Sequence, residues 1–206
     1  MLIIGLTGSI GMGKSTAAQH FISRGVAVFD ADREVHRLYE DEAVPLIEAA
    51  FPGTTGSDGV DRVKLGKALH GDSALFAKLE RLIHPLVGDA QRKFLDVEYA
   101  RGAETAVLEI PLLFETKGEE KVDVVVVVSA GNALQRERVL ARPGMSVEKF
   151  EDILSRQLPD IVKRARADFV VDTSGTLDQT YQQIDMIISK LKTHEPQVFE
   201  NWWRKN

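Results

Sequence analysis

Short apolar runs alternate along the chain with longer amphipathic stretches. Residues 2–6 predict a buried strand, and a glycine-rich turn then leads into a helix from about Lys14 to Ser23. Gly25 ends that helix, and residues 26–29 predict a second strand closing on Asp30 and Asp32. Residues 33–100 have a mostly helical pattern, interrupted at Pro52-Gly53 and by the glycines from Gly56 to Gly59, with a stop at His84-Pro85. Residues 106–110, 122–128 and 167–171 predict three more strands. Beyond them Thr176 and Gln179 have the spacing of a capping box, and Leu177, Tyr181, Ile184, Ile188 and Leu191 mark one helical face. Continuous Val/Ile runs separated by helices point to a parallel sheet covered on both faces, so the expected class is α/β with five parallel strands flanked by helices.

The segment 33–100 is too long for one crossover helix, which predicts a helical insertion at the sheet's edge. A second inserted stretch, 129–165, carries Arg136, Arg138, Arg142, Arg156, Lys163 and Arg164, with Arg166 nearby. Both follow the carboxyl ends of strands, where α/β sheets hold their ligands. Composition changes this picture mainly by exclusion. With 206 residues, 44% hydrophobic and 28% charged, the chain has enough apolar content for a sizeable core. Its 26 Lys and Arg against 31 Asp and Glu give a net charge of −5, so attraction to nucleic acid or an anionic membrane is not a global property and any basic site must be local. Having no cysteine, it can form no disulfide, thiolate metal site or thiol nucleophile. The longest strongly apolar stretch, 124–128, is a strand's length, against the roughly 20 residues of a membrane helix. The first residues also lack a signal-peptide pattern. The expectation is a soluble, cytoplasmic protein, without a membrane or nucleic-acid partner. The polar end from His194, with Trp202 and Trp203, reads as a tail that is either docked or frayed.

One motif carries chemistry unaided. Gly8-Ser-Ile-Gly11-Met12-Gly13-Lys14-Ser15, followed by Thr16, matches G-x-x-x-x-G-K-[ST] without a gap, between a strand and a helix. Glycines there let successive backbone N–H groups converge on phosphate oxygens at a helix N-terminus. Lys14 would bridge the β- and γ-phosphates of ATP, and the Ser15 hydroxyl would bind Mg²⁺. No Asn-Lys-x-Asp segment reads guanine, and no strand ends in Asp-Glu as in motor-type ATPases, which leaves a compact small-molecule kinase. Asp30 and Asp32 are ambiguous. A carboxylate at the end of the second strand can take the proton of an attacking hydroxyl or hold Mg²⁺ through water, but Asp32 is equally suited to cap the next helix. Pro111, Leu112 and Leu113 follow the third strand as a pocket wall or as simple core, and Glu109 within that strand calls for a partner such as Lys14. Arg138 and Arg142 are four apart with Arg136 beside them, a spacing that suits a phosphate clamp on a hinged segment or a solvated basic face. His84 ends its predicted helix just before Pro85, where a capping role is the plainer reading.

Taken together, Thr7 to Thr16, Asp30-Ala-Asp32, Leu82-Ile-His84-Pro85-Leu-Val, Pro111-Leu-Leu-Phe-Glu115 and Ala167-Asp168 before Val-Val-Asp resemble dephospho-CoA kinase in order and spacing over about residues 2–192. Departures are Ser9, where the family often has Gly, and Thr173, where it often has Asn. The resemblance implies a P-loop-type core of 1–32, 101–128 and 166–192, an acceptor-binding insertion of 33–100 and a lid of 129–165. It also implies phosphoryl transfer from ATP to the ribose 3′-hydroxyl of dephospho-CoA, giving coenzyme A. Asp32 would be the catalytic carboxylate, beside Lys14, Arg138 and Arg142. Gly8, Gly11, Met12, Gly13, Ser15, Thr16 and Arg136 would hold ATP. Asp32, His84, Pro111, Leu112 and Leu113 would hold the acceptor.

Overall fold

The computed structural model describes residues 1–205. β1 (Leu2–Thr7) leads through the glycine-rich loop into α1 (Lys14–Ser23), and β2 (Ala27–Asp30) follows. Next come α2 (Ala31–Leu38), α3 (Val44–Ala50), a short hairpin of β3 (Thr55–Gly56) and β4 (Gly59–Val60), α4 (Arg62–Leu69) and α5 (Ser73–Ala100). β5 (Thr105–Glu109) and β6 (Val124–Ser129) precede α6 (Asn132–Leu140), α7 (Val147–Ser155) and α8 (Asp160–Ala165), β7 (Phe169–Asp172) and α9 (Leu177–Leu191) follow, and a short helical turn at Phe199–Trp203 ends the order. These elements form two compact units, one of Met1–Phe29 with the described residues from Val97 on, the other of Asp30–Asp96.

The first unit is built on a five-stranded sheet in the order β2-β5-β1-β6-β7. β1 runs parallel to β5 and β6, and β6 parallel to β7, with Leu6 opposite Glu109, Thr7 opposite Val127 and Ser129 opposite Asp172. The strands that read as unbroken apolar runs, β1 and β6, are buried along their whole length. That is the signature of strands covered on both faces. On one face Phe21 and Ala17 of α1 pack with Ile184, Ile187 and Leu191 of α9 against Ile4, Leu6, Val126 and Val128. Each such buried Val, Leu, Ile or Phe side chain contributes roughly 1.5–3 kcal/mol. The predicted capping box is present, with Gln179 N–H donating to Thr176 Oγ1 at 3.2 Å and Thr176 N–H to Gln179 Oε1 at 2.9 Å. The inner face of α9 is rotated from the predicted one: Leu177 is 59% exposed and Thr180 and Ile187 are buried. The tail is docked, because Asp123 accepts from Gln197 and Val198 N–H while Trp203 Nε1 donates to Lys121 O.

The second unit buries Leu38, Ile47, Phe51, Leu65, Leu69, Leu79 and Ile83 around the short hairpin. The stop predicted at His84-Pro85 does not occur, since α5 runs through Pro85 without a break. An interior proline costs about 3 kcal/mol through its missing N–H and ring clash. Against that, α5 starts on the Asp72 carboxylate, which accepts from Ala74 and Leu75 N–H, and it buries Leu79 and Ile83 before the proline and Leu95 after it. Packing on both sides of Pro85 outweighs the local penalty. No described helix is long and apolar enough to cross a membrane.

Candidate active site

The loop between β1 and α1 is shaped by what glycine permits. A Cβ on Gly8 would collide with Val128 Cγ2, so the loop can leave the sheet only as glycine. Gly13 holds φ 90° at the N-cap of α1 and, having no side chain, leaves that helix end uncapped. Among the described residues, the N–H groups of Gly11, Gly13, Lys14, Ser15 and Thr16 have no acceptor. A row of unspent donors at the positive end of a helix dipole is a cradle for phosphate oxygens. Met12 is different, because its side chain is 1% exposed and its N–H donates to Ser9 O at 3.1 Å. It serves the loop's own structure: Met12 Sδ accepts from Ala130 N–H and Met12 O accepts from Thr173 Oγ1 at 2.8 Å. Thr173, the departure noted in the sequence, therefore braces the loop.

Lys14 Nζ pairs with Glu109 Oε1 at 2.5 Å, as the placement of an acid in an apolar strand requires. Glu109 is only 4% exposed, so the pair is held in a low-dielectric setting. The Ser15 hydroxyl is exposed and engages no described residue. The Pro111 carbonyl accepts from Thr7 Oγ1 at 3.2 Å and from Lys163 Nζ at 3.3 Å. Leu113 is fully buried against Gly5, so its side chain belongs to the core, and any wall is left to Pro111 and Leu112. Lys163 is also fully buried and pairs with Glu115 Oε1 at 2.9 Å, which removes it from the basic cluster that the sequence suggested.

The arginines divide similarly. Arg138 donates to Thr173 O at 2.8 Å and to Thr173 Oγ1 at 3.2 Å, so its guanidinium braces the same loop that Thr173 holds. Arg142 lies beyond the end of α6 and does not share its face with Arg138. Both Arg136 and Arg142 are exposed and carry no ion pair with a described residue. Arg156 is paired with Asp152 and Arg166 with Glu119.

In the second unit the cap of the helix falls to Asp30, not Asp32. α2 starts directly at Ala31, and Asp30 accepts from Arg33 N–H at 3.0 Å as its N-cap. Asp32 sits one residue inside the helix, exposed, and no hydrogen bond or ion pair with another described residue engages its carboxylate. His84 lies on α5 and is exposed.

Two residues of the loop's surroundings went unnoticed in the sequence. Gln135 and Gln157 bind the backbone of Ile10, in the middle of the phosphate loop. A signal existed for one of them: Gln135 stands four before Val139, a polar side chain on the apolar face of α6.

A parallel sheet with an uncapped, glycine-led helix beside its first strand, and a lysine aimed from that helix at the adjoining strand's end, defines a P-loop kinase. The dephospho-CoA kinase family model matches residues 2–179. A dephospho-CoA kinase of Agrobacterium fabrum is 56% identical over 93% of this chain and 98% of its own length. One from Rhodopseudomonas palustris is 55% identical over 91% of this chain and 94% of its own. A crystal structure of a Thermus thermophilus protein superposes with a TM-score of 0.76 at 34% identity, covering 92% of this chain and 97% of that one. A shikimate kinase from Acinetobacter baumannii, 19% identical with a TM-score of 0.54 over 94% of this chain and 96% of that one, shares the fold. The chain belongs to the dephospho-CoA kinase family, and its reaction is the last step of coenzyme A biosynthesis.

Proposed function

We propose that this chain transfers the γ-phosphoryl group of ATP to the ribose 3′-hydroxyl of dephospho-CoA through the following residues. The donors of Gly11, Gly13, Lys14, Ser15 and Thr16, backed by Gly8, cradle the ATP phosphates, and Lys14 leaves Glu109 in part to reach the transferring group. Asp32 orients the 3′-hydroxyl and accepts its proton as the oxygen bonds to the γ-phosphorus and ADP departs. Catalysis by such a site is mostly positioning and charge stabilisation. Exposed Arg136 and Arg142 cover the developing charge, and Arg138, tied to Thr173, fixes the helix that carries the first of them. The stretch 129–165 acts as the lid, 33–100 with His84 binds the acceptor, and Pro111 and Leu112 are acceptor contacts of the first unit. Leu113 contributes from beneath, as support.

Magnesium fits the donor set. Mg²⁺ is characteristically held by one or two side chains and the substrate phosphates, and Ser15 offers an exposed hydroxyl without a partner among the described residues. The ion would neutralise phosphate charge there.

The observation that carries the reading is the row of unspent N–H groups running into Lys14, in a chain whose relatives are dephospho-CoA kinases. A coupled ADP-release assay tests it. Turnover with ATP and dephospho-CoA, and none with AMP, CMP, gluconate or shikimate, is expected. Preference for any of those acceptors over dephospho-CoA would overturn the acceptor assignment.

A further inference from the structure

The phosphate loop has almost no side chains of its own with which to hold its shape. Gly8, Gly11 and Gly13 contribute none, and Met12 is turned into the core. Its middle residue is instead gripped from outside. Ile10 N–H donates to Gln157 Oε1 at 3.1 Å, and Ile10 O accepts from Gln135 Nε2 at 2.8 Å. The orientation of each amide follows from its partner, because an N–H needs an oxygen and a carbonyl needs a donor.

Both glutamines stand on firm ground. Gln135 is 4% exposed, and the helix bearing it lies so close that a Cβ on Gly11 would come within 3.1 Å of Gln135 O and 2.5 Å of Val139 Cγ2. Gln157 is placed by its neighbour, since Leu158 N–H donates to Glu115 Oε1 at 2.6 Å, and Glu115 is itself paired with buried Lys163. Two residues further on, Asp160 Oδ2 accepts from Ser129 Oγ at 2.8 Å, at the end of β6. The basic stretch therefore reaches the loop by two amides of opposite polarity, one accepting and one donating.

We propose that Gln135 and Gln157 are positioning residues for ATP: together they fix the Ile10 backbone so that the free N–H groups after it already point at the phosphates. The idea rests on the phosphate loop being the ATP site. Fixing donors before the ligand arrives removes ordering cost from binding and keeps them aimed as charge develops. Neither glutamine touches the reacting atoms.

Opposite polarity supplies the test. Gln157→Glu keeps an oxygen facing Ile10 N–H, whereas Gln135→Glu sets a carboxylate against Ile10 O. Both variants add one negative charge next to the same residue, so their difference isolates the hydrogen bond. The expected result is a kcat/KM for ATP lower in Gln135→Glu than in Gln157→Glu by roughly 10- to 100-fold, the span of a lost buried hydrogen bond. KM for dephospho-CoA should be unaffected in both. Lowering the pH should restore Gln135→Glu, because a protonated carboxyl can donate again, and should bring no such gain to Gln157→Glu. Gln135→Met and Gln157→Met, of similar length and uncharged, should each weaken binding of an unreactive ATP analogue with the melting temperature little changed. Equal effects of the two Glu variants, or losses that track only the unfolded fraction while KM for ATP stays normal, would overturn the proposal. Lys14→Met run alongside separates the two levels. If it binds the analogue as wild type does, the ATP site itself is misassigned, whatever the glutamines do.

Discussion

Two of the passages from a sheet strand into a helix, β2–α2 and β1–α1, finish the helix start in opposite ways. At β2–α2 no loop intervenes, and Asp30 takes up Arg33 N–H, so the first turn carries a side-chain cap. At β1–α1 a loop intervenes, the N-cap is Gly13 in a left-handed conformation, and the first turn is left without a cap. A helix end satisfied from within has little to offer an anion. One left open needs its stability from elsewhere, and here it comes from Gln135, Gln157, Thr173 and the Lys14–Glu109 pair. The contrast separates residues whose loss should unfold from residues whose loss should only inactivate. Asp32, exposed and without a described partner in the capped turn, is of the second kind, while Lys14 is of both.

The largest effect is expected at Lys14. Lys14→Met should lower kcat by roughly 10²–10³-fold, the scale of losing one charge-stabilising group. It should also strip buried Glu109 of its partner at a cost of about 3–5 kcal/mol. Adding Glu109→Gln should recover the melting temperature and leave kcat low. If the double variant recovers both, Lys14 serves the fold alone and the open turn loses its functional meaning.

Asp32→Asn comes next. A drop in kcat of roughly 10²–10⁴-fold is expected, the range for loss of a general base, with ATP affinity and melting temperature unchanged because the cap belongs to Asp30. Asp30→Ala should do the reverse, taking about 1 kcal/mol from stability with the smaller kinetic effect. Full turnover in Asp32→Asn would remove the catalytic assignment.

The smallest effect lies at the other end of α1. Arg24 Nε and Nη2 donate to Asp185 at 2.7 and 2.6 Å, and His20 Nε2, its ring stacked on Tyr181, meets Asp185 Oδ1 at 2.9 Å. The hydrogen bond from Arg24, with a lesser one from His20, holds the Asp185 carboxyl down to about 2 from an ordinary 3.8. A depressed carboxyl pKa adds stability in full above its unfolded value, and that stability is lost as pH falls through the folded one. The melting-temperature gap between wild type and Asp185→Asn should therefore be constant above the unfolded value and close between about 4 and about 2. Solvent screening at this half-open site keeps the gap small. A gap that persists unchanged at the acid end would show that Asp185 holds α9 to α1 by shape and not by charge.

Much of the molecule could be read along the chain, and the readable parts share one property. The strands, the span of α1 from Lys14 to Ser23, the capping box at Thr176 and Gln179, and the phosphate loop itself all depend on residues a few positions apart. Hydrophobic period, glycine spacing and cap chemistry are local, so sequence order is enough to specify them. The need of Glu109 for a cation was equally legible, because a carboxylate in an apolar strand demands one. What the tertiary structure alone decided runs between distant segments. Gln135 and Gln157 meet Ile10 across 125 and 147 residues, and Arg138 spends its guanidinium on Thr173 instead of standing free beside Arg142. Lys163, grouped in the sequence with the basic residues of 129–165, is sealed against Glu115. Pro85, a stop by local rules, is carried through α5 because the helix buries apolar side chains on both sides of it. A side chain's charge and hydrogen-bonding capacity are written in its identity, but which partner consumes that capacity depends on which segments the sheet brings side by side.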